Sequence, residues 1–289
     1  MESQENQYRW PKAEAVYSDR PGRSYVLKRL RYRLRAFLHR GLIAQFEQFI
    51  NQHPFLVKLL NEHADYSYPL VYRFLDKRFN SKQRFEAICD NLLFLPEKLT
   101  SLSEPIYKMP LSFGEVIPDF EMTLSMTTHQ PMEGYWVLEL WHKPRNELVY
   151  LLTFAKLGEA LLISVVQGPN FGGSKEMVKQ LTKTCHGLRP AYLMVETMKA
   201  LTKVLGFKTL LGIPQKYQNK SRFIQSSHYV VDYDAIFAES GGQLKDYWEL
   251  PLEIDRNLDG VPSKKRSMYR KRYAMLDDLA KVIEEKLGL

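Results

Sequence analysis

The chain has only two cysteines, Cys89 and Cys185, in 289 residues. Two thiols cannot build a disulfide framework, and neither stands in a CxxC pair, so free thiols in a reducing compartment are expected. Nowhere do about 18 apolar residues run without interruption, so nothing reads as spanning a bilayer. The opening stretch, MESQENQYRWPKAEAVYSDRPGRS, has no apolar run and does not read as a signal peptide. The seven histidines are scattered without HxxxH spacing, so no metal site is expected. There is no Walker loop, no GxSxG elbow, no internal repeat and no low-complexity tract.

What the chain does have is cation. Forty-one Lys and Arg against 33 Asp and Glu leave a net charge of +8. That balance attracts polyanions such as nucleic acid, acidic lipid headgroups or an anionic small molecule; a slightly basic cytosolic enzyme has it too. The hydrophobic fraction of 45% and charged fraction of 26% suit an ordinary globular core. The length predicts one main core with a helical N-terminal extension.

Residues 1–23 are polar, contain Pro11 and Pro21, and read as a flexible tail. Residues 25–40 have helical spacing: Leu27, Leu30, Leu34, Phe37 and Leu38 share one face. Lys28, Arg31, Arg35 and His39 form a basic stripe beside it. After Gly41 the apolar face rotates to Leu42, Phe46, Phe49 and Ile50, which predicts a kink or break there. Short helices are expected over 55–62, 69–77 and 81–93, the last capped by Ser81. Pro96, Pro105 and Pro110 punctuate a linker, which puts the boundary of the helical extension, 24–110, near Pro110.

From 111 to 262 the pattern is that of a sheet-bearing domain. Residues 120–127, 135–141, 148–154 and 160–166 read as an antiparallel meander with short turns, buried on both faces and covered by helices. Helices over 174–186 and 190–205, a strand over 208–213, a short helix over 233–240 and a strand over 246–252 follow. The segment 263–289 reads as a basic helix packed on this domain. Tyr269, Tyr273, Leu276, Ala280, Ile283 and Leu287 make its apolar stripe, and Lys264, Lys265, Arg266, Arg270, Lys271 and Arg272 crowd its first half. Cations there oppose the helix dipole, so an acidic partner or carboxylates of the chain itself are expected to face them. The fold class is therefore α+β: a helical N-terminal extension, a central mixed, mostly antiparallel sheet flanked by helices, and a basic C-terminal helix.

The run GLRPAYLMVETMKALTKVLGFKTLLGI, then YDAIFAESGG, YWELP and VPSKKRSMYRKRYAMLDDL, resembles the VirK/YbjX family of bacterial proteins. The likeness extends from about residue 25 to the C-terminus, and SKKRSMYRKRYAMLD is its most distinctive part. It implies a link to virulence, to antimicrobial-peptide tolerance and to the Gram-negative envelope. It supplies no catalytic residues.

A second resemblance concerns the middle of the chain. The strand ALLISVV runs into QGPNFGGSKEMVKQL, an order of strand, Gly-rich turn and helix that looks like the acyl-CoA loop of the GNAT acyltransferase fold. A helix start has unpaired N–H groups and partial positive charge, and glycines let an anion approach. Gln167, Gly168, Asn170, Gly172, Gly173 and Ser174 would form such a cradle for acyl-CoA or another acyl donor. Two departures stand against the likeness: Pro169 removes one donor, and an extra helix over 190–205 precedes the next strand. A Gly-rich connection that holds no ligand has the same pattern.

Acyl transfer needs a base and an acid. Glu139, among apolar strand neighbours, is the candidate base; a strand carboxylate facing solvent has the same sequence. Tyr233 stands where a GNAT-like acid would be, and also where a helix-start packing tyrosine would be. His228 is a further candidate base or a surface histidine. Cys185 and His186, adjacent on a helix, point apart and do not make a nucleophile pair.

Two functions compete. One is a cytoplasmic, GNAT-like acyl- or aminoacyltransferase docked on the inner membrane through the clusters 28–40 and 264–272, each cation near an anionic surface adding about 1 kcal/mol. The other is a non-enzymatic adaptor or chaperone-like factor whose basic helices bind an acidic protein or the membrane surface. Nucleic acid ranks behind both, because no recognised motif accompanies the charge. A gap between the 160–166 strand and the 208–213 strand, opening at Gln167, is what the transferase requires and the adaptor does not.

Overall fold

The computed structural model describes residues 7–19, 24–127, 130–169, 171–219 and 231–289. Among these, eight strands form one mixed sheet in the order β1-β2-β3-β4-β5-β6-β8-β7. The strands are β1 (Leu111–Ile117), β2 (Phe120–Met126), β3 (Trp136–His142), β4 (Glu147–Leu157), β5 (Ala160–Gln167), β6 (Leu210–Gly212), β7 (Gln243–Leu244) and β8 (Trp248–Leu250). Neighbours are antiparallel except β5 and β6, which run parallel. The architecture is α+β, a mixed, mostly antiparallel sheet with flanking and terminal helices, as its residue patterns imply.

The N-terminal layer holds α1 (Ala13–Val16), α2 (Val26–Leu38), α3 (Arg40–Asn51), α4 (Pro54–Glu62) and α5 (Ser81–Lys98). The part of the N-terminal segment that is described is packed rather than loose. Tyr8 is buried, its hydroxyl shares a hydrogen bond with Ser67, and Asn51 Oδ1 accepts from its backbone N–H. The helix break falls at His39, just before the expected Gly41. Residues 69–77 are not a helix: a 3-10 segment ends at Val71 and the chain runs on irregularly. The cap of α5 is Asn80, not Ser81. Its side chain accepts from Gln83 N–H while Gln83 returns a bond to the Asn80 N–H, closing a capping box.

The meander is held to α5 by polar bonds. Asn91, fully buried, exchanges hydrogen bonds with both backbone groups of Lys156 on β4, and its own carbonyl accepts from Trp136 Nε1 at 2.9 Å. On β3, Trp136, Leu138 and Leu140 are completely buried, and Val137 on the opposite face is buried as well, but farther along that face Glu139 and Trp141 are only half-buried.

The crossover from β5 to β6 carries α6 (Ser174–Thr184) and α7 (Pro190–Val204), and α8 (Tyr233–Glu239) leads into the β7–β8 hairpin. Phe237 on α8 crosses β6 so closely that a Cβ on Gly212 would stand 2.7 Å from its ring. The final helix, α9 (Ser263–Leu287), buries Leu276, Leu279, Ile283 and Leu287 and packs against α7. One hydrophobic core runs through all layers, from Tyr8 to Leu287 and across the expected boundary at Pro110.

The core has a consequence at alkaline pH. Burial pushes the phenols of Tyr8, Tyr32, Tyr66, Tyr68 and Tyr135 upward, and the thiols of Cys89 and Cys185 up to about 12. Their folded values lie above their unfolded ones, so the unfolded chain loses protons first as pH rises. The stability they provide is whole below about pH 9 and drains away through about pH 12. Melts recorded from pH 8 upward should show a continuous fall in Tm once pH 9 is passed.

Candidate functional site

The point of interest is where β5 and β6 part. Their ladder has three pairs, Leu161 with Leu210, Leu162 with Leu211 and Ile163 with Gly212, closed by Ile213 N–H donating to Ile163 O at 2.9 Å. Pro214 then turns the chain away, while β5 continues to Gln167. The pairing of β5 with β4 shifts at the same place: Phe154 pairs with Ile163 and Thr153 with Val165, leaving Ser164 as an extra residue in a bulge. A bulge raises local twist and swings the strand end aside. The Ser164 hydroxyl is fixed by the carbonyls of Thr153, at 3.0 Å, and Glu133.

The ladder is therefore not continuous, and the gap opens after Ile163, four residues before Gln167. Part of it is filled. Gln218 Nε2 donates to Ser164 O at 3.2 Å, and Asn219 Nδ2 donates to the carbonyls of Leu75 and Met132.

Beyond the gap, Gln167 is exposed and the chain enters the Gly-rich turn. Gly168 lies against the Tyr150 ring, 3.1 Å from where its Cβ would be. Gly172 and Gly173 are exposed, and a Cβ on either meets nothing within 4 Å. Gly173 occupies the N-cap of α6 in a left-handed conformation (φ 80°), which only glycine adopts without strain, and among the described residues no side chain caps the helix. Ser174 N–H bonds to Phe171 O, and the following first-turn amides have no acceptor outside the helix among the described residues. This open, uncapped start fits an anionic group. Asn170 lies outside the described residues, as does His228.

Glu139 is half-buried on β3, and its Oε2 accepts from Trp141 Nε1 at 3.2 Å. It pairs with Leu151, which pairs with Gln167. Cross-strand partners share a face, so Glu139 stands on the same side of the sheet as Gln167, two strands or about 10 Å away. Tyr233 is buried at the start of α8. That start lies at the open end too, because Asp234 Oδ1 accepts from Gln215 N–H and from Trp248 Nε1.

The same end holds a cluster that no motif announces. The Asp76 side chain is wholly buried and takes the Arg78 guanidinium side-on at 2.7–3.1 Å, together with the Tyr247 hydroxyl at 2.8 Å. Arg78 also reaches Asp246 at 2.6 Å and stacks over the Tyr217 ring at 3.5 Å. These residues are up to 171 apart in sequence, so only the fold assembles them.

Lys28 and Arg31 on α2 are exposed. Arg35 instead lies over the Tyr72 ring at 4.0 Å and bonds to the Tyr68 hydroxyl, within the fold. On α9, Lys264, Lys265 and Arg270 are exposed, while Arg266 donates to Val261 O and Arg272 to His186 O. Cys185 is buried and its thiol is pushed up to about 12, so it is no nucleophile at neutral pH. Among the described residues no group of His, Cys, Asp and Glu could hold a metal ion, and no helix is long and apolar enough to cross a membrane.

The sequence model of a family described as a protein of unknown function (DUF535) matches residues 21–285. An uncharacterized protein of Haemophilus influenzae is 80% identical over 282 residues, 98% of this chain and 97% of its own length. A protein of Mannheimia haemolytica called Membrane protein LapB is 64% identical over 216 residues, 75% of this chain and 96% of its own. The YbjX protein of Escherichia coli is 24% identical over 279 residues, 89% of this chain and 83% of its own. No solved structure matches.

Proposed function

The chain belongs to the DUF535 family, and on that footing we propose that it is a peripheral membrane acyl- or aminoacyltransferase of GNAT-like fold, acting on a constituent of the envelope. The observation that carries this is the parting of the parallel pair β5 and β6 beside an open, uncapped helix start. The order β5-β6-β8-β7, with a helical crossover between the first two, sets that gap where the antiparallel meander meets its one parallel neighbour. The names of the relatives add weight to the membrane link, since one at 64% identity is called a membrane protein.

Gly172, Gly173 and the amides that open α6 would hold the phosphates of an acyl donor. The donor supplies an activated acyl carbonyl. Glu139, on the face shared with Gln167, would take the proton of the attacking amine or hydroxyl, and Tyr233 would stand by for the leaving group. Asn170 and His228 remain candidates for the cradle and for a second base.

The test is the melting temperature with and without acetyl-CoA and a long-chain acyl-CoA. Ligand at 100 times its dissociation constant should add about 2.7 kcal/mol. No shift with either donor would favour the adaptor. In a transfer assay, Glu139→Gln should keep the donor-induced shift and lower turnover by roughly 10²- to 10⁴-fold. Equal loss of binding and turnover would remove Glu139 from the role of base.

A further inference from the structure

Helix α2 faces the opposite way from an ordinary amphipathic helix. Val26, Leu27, Leu30, Leu34, Phe37 and Leu38 stand 59–68% exposed, while Tyr32 is 2% exposed. At 100° per residue those six side chains fill an arc of about 120°, and Tyr32 lies diametrically opposite its centre. The inward face is fixed by aromatic packing. Tyr32 stacks on Trp10 with ring centroids 6.0 Å apart, meets Tyr17 and Tyr68 edge-on or tilted, and donates to Pro11 O at 2.8 Å. The segment 7–19 thus clasps α2 by its tyrosine side and leaves the leucine side outward.

The charges beside that stripe are of one sign. The helix carries Lys28, Arg29, Arg31, Arg33 and Arg35 and no carboxylate. Arg29 and Arg33 are matched by Asp19 and Glu14 of the clasp, and Arg35 lies over Tyr72. Lys28 and Arg31 have no ion pair among the described residues, although the Lys28 ammonium lies over the Tyr25 ring at 4.6 Å, and the Arg40 guanidinium, just past the helix, covers the Phe37 ring at 5.1 Å.

We propose that α2 is an interfacial anchor, which seats the chain on an anionic bilayer by sinking this apolar stripe into the boundary between headgroups and acyl chains. The deduction rests on the membrane half of the proposed function and is independent of acyl transfer. Thirteen residues make a rod about 20 Å long, too short to span and suited to lying in the interface plane. Arg31, next to Leu38 around the helix, flanks the stripe where lipid phosphates would be, and Lys28, farther round toward the clasp, adds to the positive field of the same helix. A second copy of the chain is a poorer occupant. Two such faces meeting about a two-fold axis would bring the cations of one helix, Arg31 foremost, toward those of the other, with no carboxylate on the helix to answer them.

The experiment is co-sedimentation of the full chain with phosphatidylcholine vesicles, with and without phosphatidylglycerol. The comparison set is Leu30→Asp with Phe37→Asp, and separately Lys28→Glu with Arg31→Glu. All four positions are exposed, so the variants should melt like the parent. The expected result is binding to the anionic vesicles, reduced at least about tenfold by either pair of changes. A Leu38→Cys variant carrying an environment-sensitive dye should blue-shift on binding, since Cys89 and Cys185 are buried and resist labelling. Parent binding unaffected by the aspartates, with no blue shift, would overturn α2 as the anchor and leave the membrane link to other cations such as those of α9. Parent binding to neither vesicle would remove the membrane half of the proposed function together with the anchor. A parent dimer that becomes monomeric in Leu30→Asp with Phe37→Asp would assign the face to self-association instead.

Discussion

Gly172→Asp is expected to leave the melting curve of the free protein in place and to abolish its upward shift with acyl-CoA. Gly172 is exposed, and a Cβ built on it meets nothing within 4 Å. A carboxylate just before α6 also suits the positive end of the helix dipole, an effect of about 0.3–1 kcal/mol in favour of the fold. For a phosphate seated on the same helix start the sign reverses: a fixed negative charge repels it and competes for the amides. At about 4 Å, and an effective dielectric near 20, like charges oppose each other by about 4 kcal/mol, close to a thousandfold in affinity. Gly173→Asp is a poorer probe, because φ there is 80° and any L side chain is strained. A normal acyl-CoA shift in Gly172→Asp would remove this loop from the donor site.

The sheet was legible because its strands are long and apolar. β3, β4 and β5 fall within two or three residues of the runs seen in the sequence. β1 was missed, since Ser112, Gly114 and Glu115 interrupt its alternation and it is bent by two register shifts. The two-residue β7 is too short for any pattern. Residues 69–77 contain apolar side chains at helical spacing, yet Leu75 is left-handed (φ 53°) with its N–H on Met132 O, and the carboxylate of Asp76 draws the chain into the polar cluster instead.

The site was legible only in its local part. The strand, Gly-rich turn and helix appear in order because they are contiguous. Which face Glu139 takes depends on the register of three strands, and composition does not encode that. The orientation of α2 was hidden for a related reason. Periodicity finds the apolar face of a helix but not whether the fold lies on that side. Here the tyrosines of three separate segments, Tyr17, Tyr32 and Tyr68, build the packed side, and the leucines are left outside. The gap after Ile163 was expected at Gln167, but the bulge at Ser164 brings it forward, and bulges leave no signature in a run such as ALLISVVQ.

Asp76→Ala is expected to cost about 3 kcal/mol and lower Tm by roughly 6–10 °C. The Asp76 side chain has no solvent exposure and accepts from Arg78 N–H, from the Arg78 guanidinium and from the Tyr247 hydroxyl. Removing it leaves a guanidinium and a phenol without their buried acceptor. The figure sits at the lower end for breaking a buried pair, because Arg78 is 35% exposed and keeps Asp246. Arg78→Ala should cost more, since the carboxylate it strands has no water to turn to. The double variant should cost less than the sum of the two, with a coupling of about 1–3 kcal/mol. The network joins the N-terminal layer to the β7–β8 hairpin, and Asp76 bridges to Gln218, whose side chain fills the gap beside Ser164. Loosening it should therefore weaken donor binding out of proportion to a distant substitution of equal thermal cost. Tm and acyl-CoA affinity measured on the same samples separate the two effects. An Asp76→Ala protein that melts within about 2 °C of the parent would mean that Asp246 and Tyr217 alone hold Arg78, and that the two halves of the site are clamped elsewhere.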